Sequence, residues 1–87
     1  MASAGEVKAC LDGIVDSIET ELDGLGCDPK AAPNSPVPST VDGEICRLLK
    51  RAEYLLEILR CETTSSPVAC CSVAYTAYTT AFNVCPA

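Results

Sequence analysis

Apolar residues recur every three or four positions in three separate segments of the chain, which is the spacing of one face of an α-helix. In the first segment Ser3 and Glu6 have the spacing of a capping box, so a helix is expected to begin here. It should end near Gly24 and Gly26, because glycine favours helix C-termini. The apolar positions of this segment are Val7, Leu11, Ile14, Ile18, Leu22 and Leu25.

The second segment has the strongest helical pattern in the chain. Ser39 or Thr40 is the expected N-cap, since both hydroxyls can accept a hydrogen bond from the first turn. The apolar positions that follow fall on one broad face, and this face is predicted to pack into the core. It comprises Val41, Ile45, Leu48, Leu49, Ala52, Leu55, Leu56 and Leu59.

A third helix is predicted from Ser66-Pro67 to Pro86, because proline is favoured at the first helical position and cannot continue a helix at its end. Residues 72–82 are rich in Val, Tyr and Thr, so a strand is the alternative interpretation. The residues expected along one face of this helix are Cys71, Tyr75, Tyr78, Phe82 and Cys85.

The segment between the first two helices is expected to be an extended linker. Four prolines occur between Pro29 and Thr40, a composition that excludes a helix or a central strand. The linker should cover about residues 28–39. Together these patterns predict one all-α domain over residues 1–87, a small disulfide-stabilised three-helix bundle with a proline-rich linker between helices one and two.

Seven cysteines and no histidine in 87 residues are typical of a secreted disulfide framework and not of a zinc site. Taking the three helices as up, down, up places the cysteines at two ends of the bundle, which limits the pairs that can meet. Cys27 is then left over and available to cross-link a second chain. The alternative joins Cys27 to Cys46 and leaves Cys85 unpaired. The bridges expected are Cys10–Cys71, Cys61–Cys70 and Cys46–Cys85.

Charge and composition exclude several classes of function. The net charge of −6 and the pI near 4.3 argue against nucleic acid and anionic membrane surfaces as partners. The longest uncharged stretch, residues 63–87, is too polar for membrane insertion to be expected. No signal peptide is visible at the N-terminus, so secretion is inferred from the cysteines alone. Without catalytic motifs, the chain is expected to be no enzyme and to hold no metal or cofactor.

Basic residues of the second helix suggest a partner-binding surface. Arg47, Lys50 and Arg51 are expected on its outer side, with Tyr54 and Ile58 one and two turns further on. Arginine, tyrosine and isoleucine together are typical of an interface centre. The alternative is that the third helix covers Tyr54 and Ile58.

The first helix carries an acidic stripe, formed by Asp12, Asp16, Glu19 and Asp23. Such a stripe is ordinarily a solvated face. A dimer is predicted because an odd cysteine is rarely left as a free thiol in an oxidising compartment and because this stripe complements the basic residues in sign. In that dimer Arg47 and Arg51 of one chain lie near Asp12 and Asp16 of the other, with Tyr54 and Ile58 as the apolar centre.

Three functions follow from these features. The first is a secreted protein that acts by binding another protein, as a signal, effector or toxin. The alternative is a carrier of an apolar small molecule or lipid, and a second alternative is an extracellular structural protein that assembles through cross-links. The residues expected to line a carrier's pocket are Leu48, Leu55, Leu56, Tyr75, Tyr78 and Phe82.

Overall fold

The structure, a computed structural model, describes residues 3–22 and 29–86, and these residues form three α-helices and no strand. The predicted all-α class is therefore confirmed, and the strand alternative for the third segment is wrong. The expected helix end at Gly24 and Gly26 lies outside the described residues, as does Asp23 of the acidic stripe. The helices are α1 (Ala4–Leu22), α2 (Val41–Cys61) and α3 (Pro67–Val84).

Side-chain caps define the starts of the first two helices. The Ser3 hydroxyl accepts a hydrogen bond of 3.2 Å from the Glu6 amide. The Thr40 hydroxyl accepts one of 3.0 Å from the Gly43 amide, so Thr40 is the N-cap of α2. Ser39, the other expected cap, donates to the Glu44 carboxylate instead, at 2.9 Å. Each cap satisfies an amide that has no partner within its helix.

The central element of the fold is α2. Both α1 and α3 pack against it, whereas the described parts of α1 and α3 make no close backbone contact with each other. Aromatic residues of α2 and α3 meet aliphatic residues of α1 and α2 in one cluster. The buried members of this core are Val15, Leu22, Tyr54, Leu55, Ile58, Tyr78 and Phe82.

Two ion pairs show that α1 runs parallel to α2. Lys8 lies 3.8 Å from Glu44, and Glu19 lies 2.9 Å from Arg51, so the partners advance in the same direction along both helices. The up, down, up arrangement predicted from the sequence is therefore wrong for α1. The length of the connection permits the parallel arrangement: 18 residues separate the two helices and can span about 60 Å, whereas α2 is about 31 Å long.

The described part of the connection, residues 29–40, contains no helix or strand. Near its start the Lys30 amide donates to the Tyr54 hydroxyl at 3.0 Å. At its end Ser39 contacts Glu44 in the first turn of α2. The connection therefore returns along the side of α2, from the middle of this helix to its N-terminus, which is the path that a parallel α1 and α2 require.

Two disulfides hold α3 antiparallel to α2. Cys46–Cys85 and Cys61–Cys70 have Cα–Cα distances of 5.8 and 5.5 Å, and they lie at opposite ends of the helix pair. Both bridges were predicted from the sequence. The five residues between α2 and α3 leave room only for a tight reversal, which is why this part of the topology could be predicted.

The predicted Cys10–Cys71 bridge is wrong. Cys10 is an exposed free thiol, and Cys71 is disulfide-bonded. The parallel α1 places Cys10 at the end of α2 that carries Cys46, whereas Cys71 lies at the opposite end. The alternative Cys27–Cys46 pairing is also wrong, because Cys46 is bonded to Cys85. Cys27, the predicted odd cysteine, lies outside the described residues.

Candidate protein-binding surface

Arg47 belongs to the core and not to the surface. The residue is only 4% exposed, and its guanidinium donates a 2.8 Å hydrogen bond to the Pro86 carbonyl. The guanidinium carbon lies 6.0 Å from the centre of the Phe82 ring. Its Nε and Nη2 atoms are buried without a hydrogen-bond partner. The prediction that Arg47 binds a partner is therefore wrong, because a partner cannot reach it.

Tyr54 and Ile58 were predicted as the apolar centre of the partner-binding surface, and both are buried. They are 3% and 0% exposed. The Tyr54 ring stacks on Tyr78 of α3 with centroids 4.7 Å apart and ring planes within 5° of parallel. The alternative interpretation is thus correct: α3 covers this side of α2, so these side chains stabilise the fold.

The remaining basic residues of α2 form no patch. Arg51 is 11% exposed, donates to Glu19 at 2.9 Å and to the Lys30 carbonyl at 2.6 Å, and so ties α1 and the linker to α2. Lys50 is about one-third exposed and lies 3.9 Å from Glu53. Of the three basic residues predicted for the two-fold contact, only Lys50 is appreciably exposed, so these residues do not form the basic surface that the prediction requires.

Most of the residues expected to line an apolar pocket pack in or against the core, and one is exposed. The Tyr78 and Phe82 rings meet edge to face with centroids 5.8 Å apart. Three of the six residues are buried in the core, two are half-buried against it, and one is exposed. The buried residues are Leu55, Tyr78 and Phe82, and the half-buried residues are Leu48 and Tyr75. Leu56 is 55% exposed.

An open groove of about 640 Å³ lies between α2 and α3. Its α3 wall consists largely of alanines, and its α2 wall carries charged side chains such as Glu53 and Arg60. Along α3, Val68, Val73 and Val84 are each exposed by 70% or more, among serines and threonines, and Val73 borders the groove. Small side chains give a partner little apolar area to bury, so this side of the molecule has few anchors.

Part of the acidic stripe of α1 is neutralised within the chain. Lys8 lies 3.0 Å from Asp12 and 3.8 Å from Glu44. The hydrogen bond and charge of Asp12, with a smaller contribution from Glu44, raise the pKa of Lys8 above its usual value. Asp16 is exposed. Among residues 3–22 and 29–86, no three acidic, cysteine or histidine side chains lie close enough together to hold a metal ion.

Several large apolar side chains of α2 are exposed on the side away from the aromatic core. Val41, Leu49, Leu56 and Leu59 are 42–55% exposed. With 100° between successive residues, these four positions fall within an arc of about 80°. The half-buried Ala52 lies inside that arc. Exposed leucines on one helical arc form a continuous apolar stripe.

Two further apolar residues extend this stripe onto α1. Val7 and Ile14 are 40% and 46% exposed. The Lys8–Glu44 pair marks one edge of the contact between α1 and α2. On α1, Val7 lies about 100° from Lys8, and on α2, Ile45 lies about 100° from Glu44 in the opposite sense. Because the two helices are parallel and face each other, both rotations lead to the edge of the contact that is opposite the Lys8–Glu44 pair. We call the six exposed residues there the apolar face: Val7, Ile14, Val41, Leu49, Leu56 and Leu59.

The margin of the apolar face carries charges of both signs, from Asp42, Glu53 and Arg60. Asp42 and Arg60 lie at the two ends of α2, 18 residues and therefore five full turns apart, so they share one side of the helix. Both are exposed. Arg60 makes a 2.6 Å ion pair with Glu57. The apolar face itself contains no charged residue.

Sequence reasoning assigned the residues of the apolar face to the core. The signal that could have corrected this is visible in α2, which has apolar residues on two arcs: Tyr54 and Ile58 on one, and Leu49, Leu56 and Leu59 on the other. Both arcs are buried only if neighbouring helices pack on opposite sides of α2, so a two-arc pattern allows one arc to remain exposed. Aromatic contacts with α3 bury the first arc and leave the second in water.

The fold and its bridges define a small, disulfide-bonded all-α protein with α2 at its centre. No family model, no curated protein and no solved structure matches the chain. None of the described helices is long and apolar enough to cross a membrane.

Proposed function

We propose that this chain is a secreted, disulfide-stabilised helical protein that acts by binding another protein, in the manner of a signal, an effector or a toxin. The observation that carries the proposal is the apolar face. Its side chains expose several hundred Å² of apolar surface, which is the size of the largest patch on a typical monomer, and such patches are often functional.

The energetics of burial support the same function. At about 25 cal/mol per Å², covering several hundred Å² yields on the order of 10 kcal/mol before the entropic cost of association is subtracted. The side chains that supply this energy are held by two rigid helices, which are tied to the core by Glu19–Arg51 and to α3 by the Cys46–Cys85 bridge. A preorganised surface loses little entropy when a partner binds.

The partner is expected to present an uncharged, helical apolar surface. Leu49, Leu56 and Leu59 follow one another at spacings of seven and three residues, which is the pattern that inserts into the groove of a facing helix pair. The Cys46–Cys85 and Cys61–Cys70 bridges support export, because disulfides persist in oxidising compartments.

The test uses a photo-activated cross-linking amino acid in place of Leu56, with Val73 of α3 as the matched control. Both positions are exposed apolar sites on a helix. In extracts of the natural source, the Leu56 probe should give one discrete adduct, identified by mass spectrometry, and the Val73 probe should not. Leu56→Glu should weaken binding of the identified protein at least 50-fold, whereas Val73→Glu should not weaken it. Equal adducts from both positions, or none from either, would refute the proposed function.

A further inference from the structure

We infer that the apolar face binds a second copy of this chain, with the two copies of α2 packed antiparallel across a two-fold axis. This inference rests on the proposed function, because it names the partner of the same surface. The Tyr54 and Ile58 side of α2, from which the sequence predicted a dimer, takes no part in it.

The positions along α2 are self-complementary about Ala52. When two antiparallel copies of α2 meet at this residue, positions whose numbers sum to 104 lie opposite each other. Leu59 then faces Ile45 of the second copy, and Leu56 faces the turn that carries Leu48 and Leu49. The small side chain of Ala52 on the axis allows the helices to approach closely, and the larger residues on either side pack into the spaces between one another.

The charges at the margin fit the same arrangement. Asp42 and Arg60 have numbers that sum to 102, so each lies about 3 Å along the helix axis from the level of the other residue in the second copy. Because both occupy one side of α2, an antiparallel pair brings Arg60 of each chain next to Asp42 of the other, twice per dimer. Arg60 already binds Glu57, but a guanidinium has five N–H donors and can bind a second carboxylate. A parallel pair would place like charges together instead.

The contact between the two copies of α2 has the area of a small dimer interface. Two antiparallel copies of α2 that meet at Ala52 overlap over residues 43–61, a length of about 28 Å. Together with the neighbouring edge of α1, this contact buries roughly 500 Å² per copy, which is near the lower limit for a specific interface. The charged residues nearest to the contact, Asp42, Glu53 and Arg60, lie at its solvated margin.

An anionic lipid surface is the competing occupant of an exposed apolar face. It is disfavoured here, because six net negative charges repel an anionic bilayer. An amphipathic membrane-binding helix also carries lysine and arginine around its apolar side, whereas this margin carries Asp42 as well as Arg60. The absence of a cationic rim favours a protein partner of mixed charge, such as a second copy.

Sedimentation equilibrium of the intact, oxidised chain tests the dimer. The wild type should be dimeric at micromolar concentration, and Leu56→Glu should raise the dissociation constant at least 100-fold. Val73→Glu adds the same charge outside the apolar face and should leave the dimer unchanged. Far-ultraviolet circular dichroism and an unchanged count of free thiols verify that each variant folds. A monomeric wild type at 100 µM, or equal dissociation by both glutamates, would overturn the inference.

Charge reversal tests the antiparallel orientation without touching the apolar residues. Asp42→Arg and Arg60→Asp should each weaken the dimer about three- to twentyfold, as expected for the loss of two exposed ion pairs and the addition of like-charge repulsion. The double variant should recover most of the wild-type affinity. If the dissociation constant of the double variant is raised by the product of the two single-variant factors, the two residues do not meet and the antiparallel orientation is wrong.

A photo-activated cross-linker in place of Leu59 separates failure of this inference from failure of the proposed function. An adduct of twice the chain mass, joined to the peptide that contains Ile45, supports the antiparallel dimer. An adduct joined to the peptide around Leu59 itself indicates a parallel dimer and overturns the inference. A monomeric chain that cross-links to a different protein overturns the dimer but leaves the proposed function standing. Binding to anionic phosphatidylserine vesicles, with no protein adduct, overturns both.

Discussion

Replacement of Arg47 by methionine is expected to stabilise the fold, although it removes a hydrogen bond and a contact with an aromatic ring. The residue is 4% exposed, and its Nη1 atom donates a hydrogen bond to the Pro86 carbonyl. The Nε and Nη2 atoms are buried without a hydrogen-bond partner. Methionine has a similar length and no donor, so it can fill the same space against Phe82. The Pro86 residue is exposed, so its carbonyl can accept a hydrogen bond from water instead.

The balance can be worked from these contacts. A charged hydrogen bond contributes about 1.5–3 kcal/mol, and the contact with Phe82 at 6.0 Å contributes about 1 kcal/mol. Against this, a buried donor without a partner costs about 1–3 kcal/mol, and Arg47 has two such atoms. Replacement of buried ionic groups by apolar side chains is often neutral or stabilising by about 1–4 kcal/mol. We therefore expect Arg47→Met to stabilise by about 1–2 kcal/mol, and to raise Tm by about 5–10 °C.

Urea unfolding followed by circular dichroism, with the disulfides intact, measures this change. Lys50→Met is the matched control, because it removes the same charge from the same helix at a side chain that is one-third exposed. The difference between the two variants isolates the cost of burial from the effect of net charge. If Arg47→Met is less stable than Lys50→Met by more than about 1 kcal/mol, the guanidinium contributes net stability and the reasoning is refuted.

Three further outcomes are expected. Replacing both cysteines of the Cys46–Cys85 bridge by serine should lower the free energy of unfolding by about 4 kcal/mol, and the same change at Cys61–Cys70 should lower it by about 3 kcal/mol. The first loss is larger because the bridge closes a loop with a sequence separation of 39 and not 9; equal losses in urea unfolding would contradict this. Burial raises the pKa of the Tyr78 hydroxyl, an effect that Arg51 partly opposes, so the folded state retains its proton more strongly than the unfolded state. The contribution of Tyr78 to the free energy of unfolding should be fully present below pH 10, the usual tyrosine pKa, and should be lost as the pH rises from 10 through the raised pKa. Unfolding midpoints of the wild type and Tyr78→Phe, measured against pH, check this; if both midpoints fall equally steeply above pH 10, the prediction is refuted. Iodoacetamide should label Cys10 in the native protein and leave Cys46 and Cys85 unmodified, as peptide mapping can show. Cys10→Ser should leave the dimer intact because the contact between the two copies of α2 needs no covalent link; a dimer lost with Cys10→Ser would mean that a disulfide through Cys10 holds it.

Local sequence was sufficient to predict the helices and the way α2 meets α3. Ser3 and Thr40 each accept a hydrogen bond from a backbone amide only three residues further along the chain, so these caps are encoded by local sequence. The short connection before Pro67 forces α3 to reverse direction, and the reversal brings the cysteines of both predicted bridges together. The α3 face with Tyr78 and Phe82 was predicted because this helix has its large apolar residues on one side.

The candidate surface depended on information that the sequence does not contain. Arg47, Tyr54 and Ile58 lie on one arc of α2, and Leu49 and Leu56 lie on another, and helical periodicity describes both arcs equally well. The arc that becomes core is selected by the neighbours of α2, and the long proline-rich connection allows α1 to run in either direction. The sequence by itself determined the helices, the linker and two bridges, because these follow from local geometry and short connections. Only the tertiary structure decided that α1 runs parallel to α2, that Cys10 is free and that the leucines of α2 are exposed, because each of these follows from long-range packing between helices.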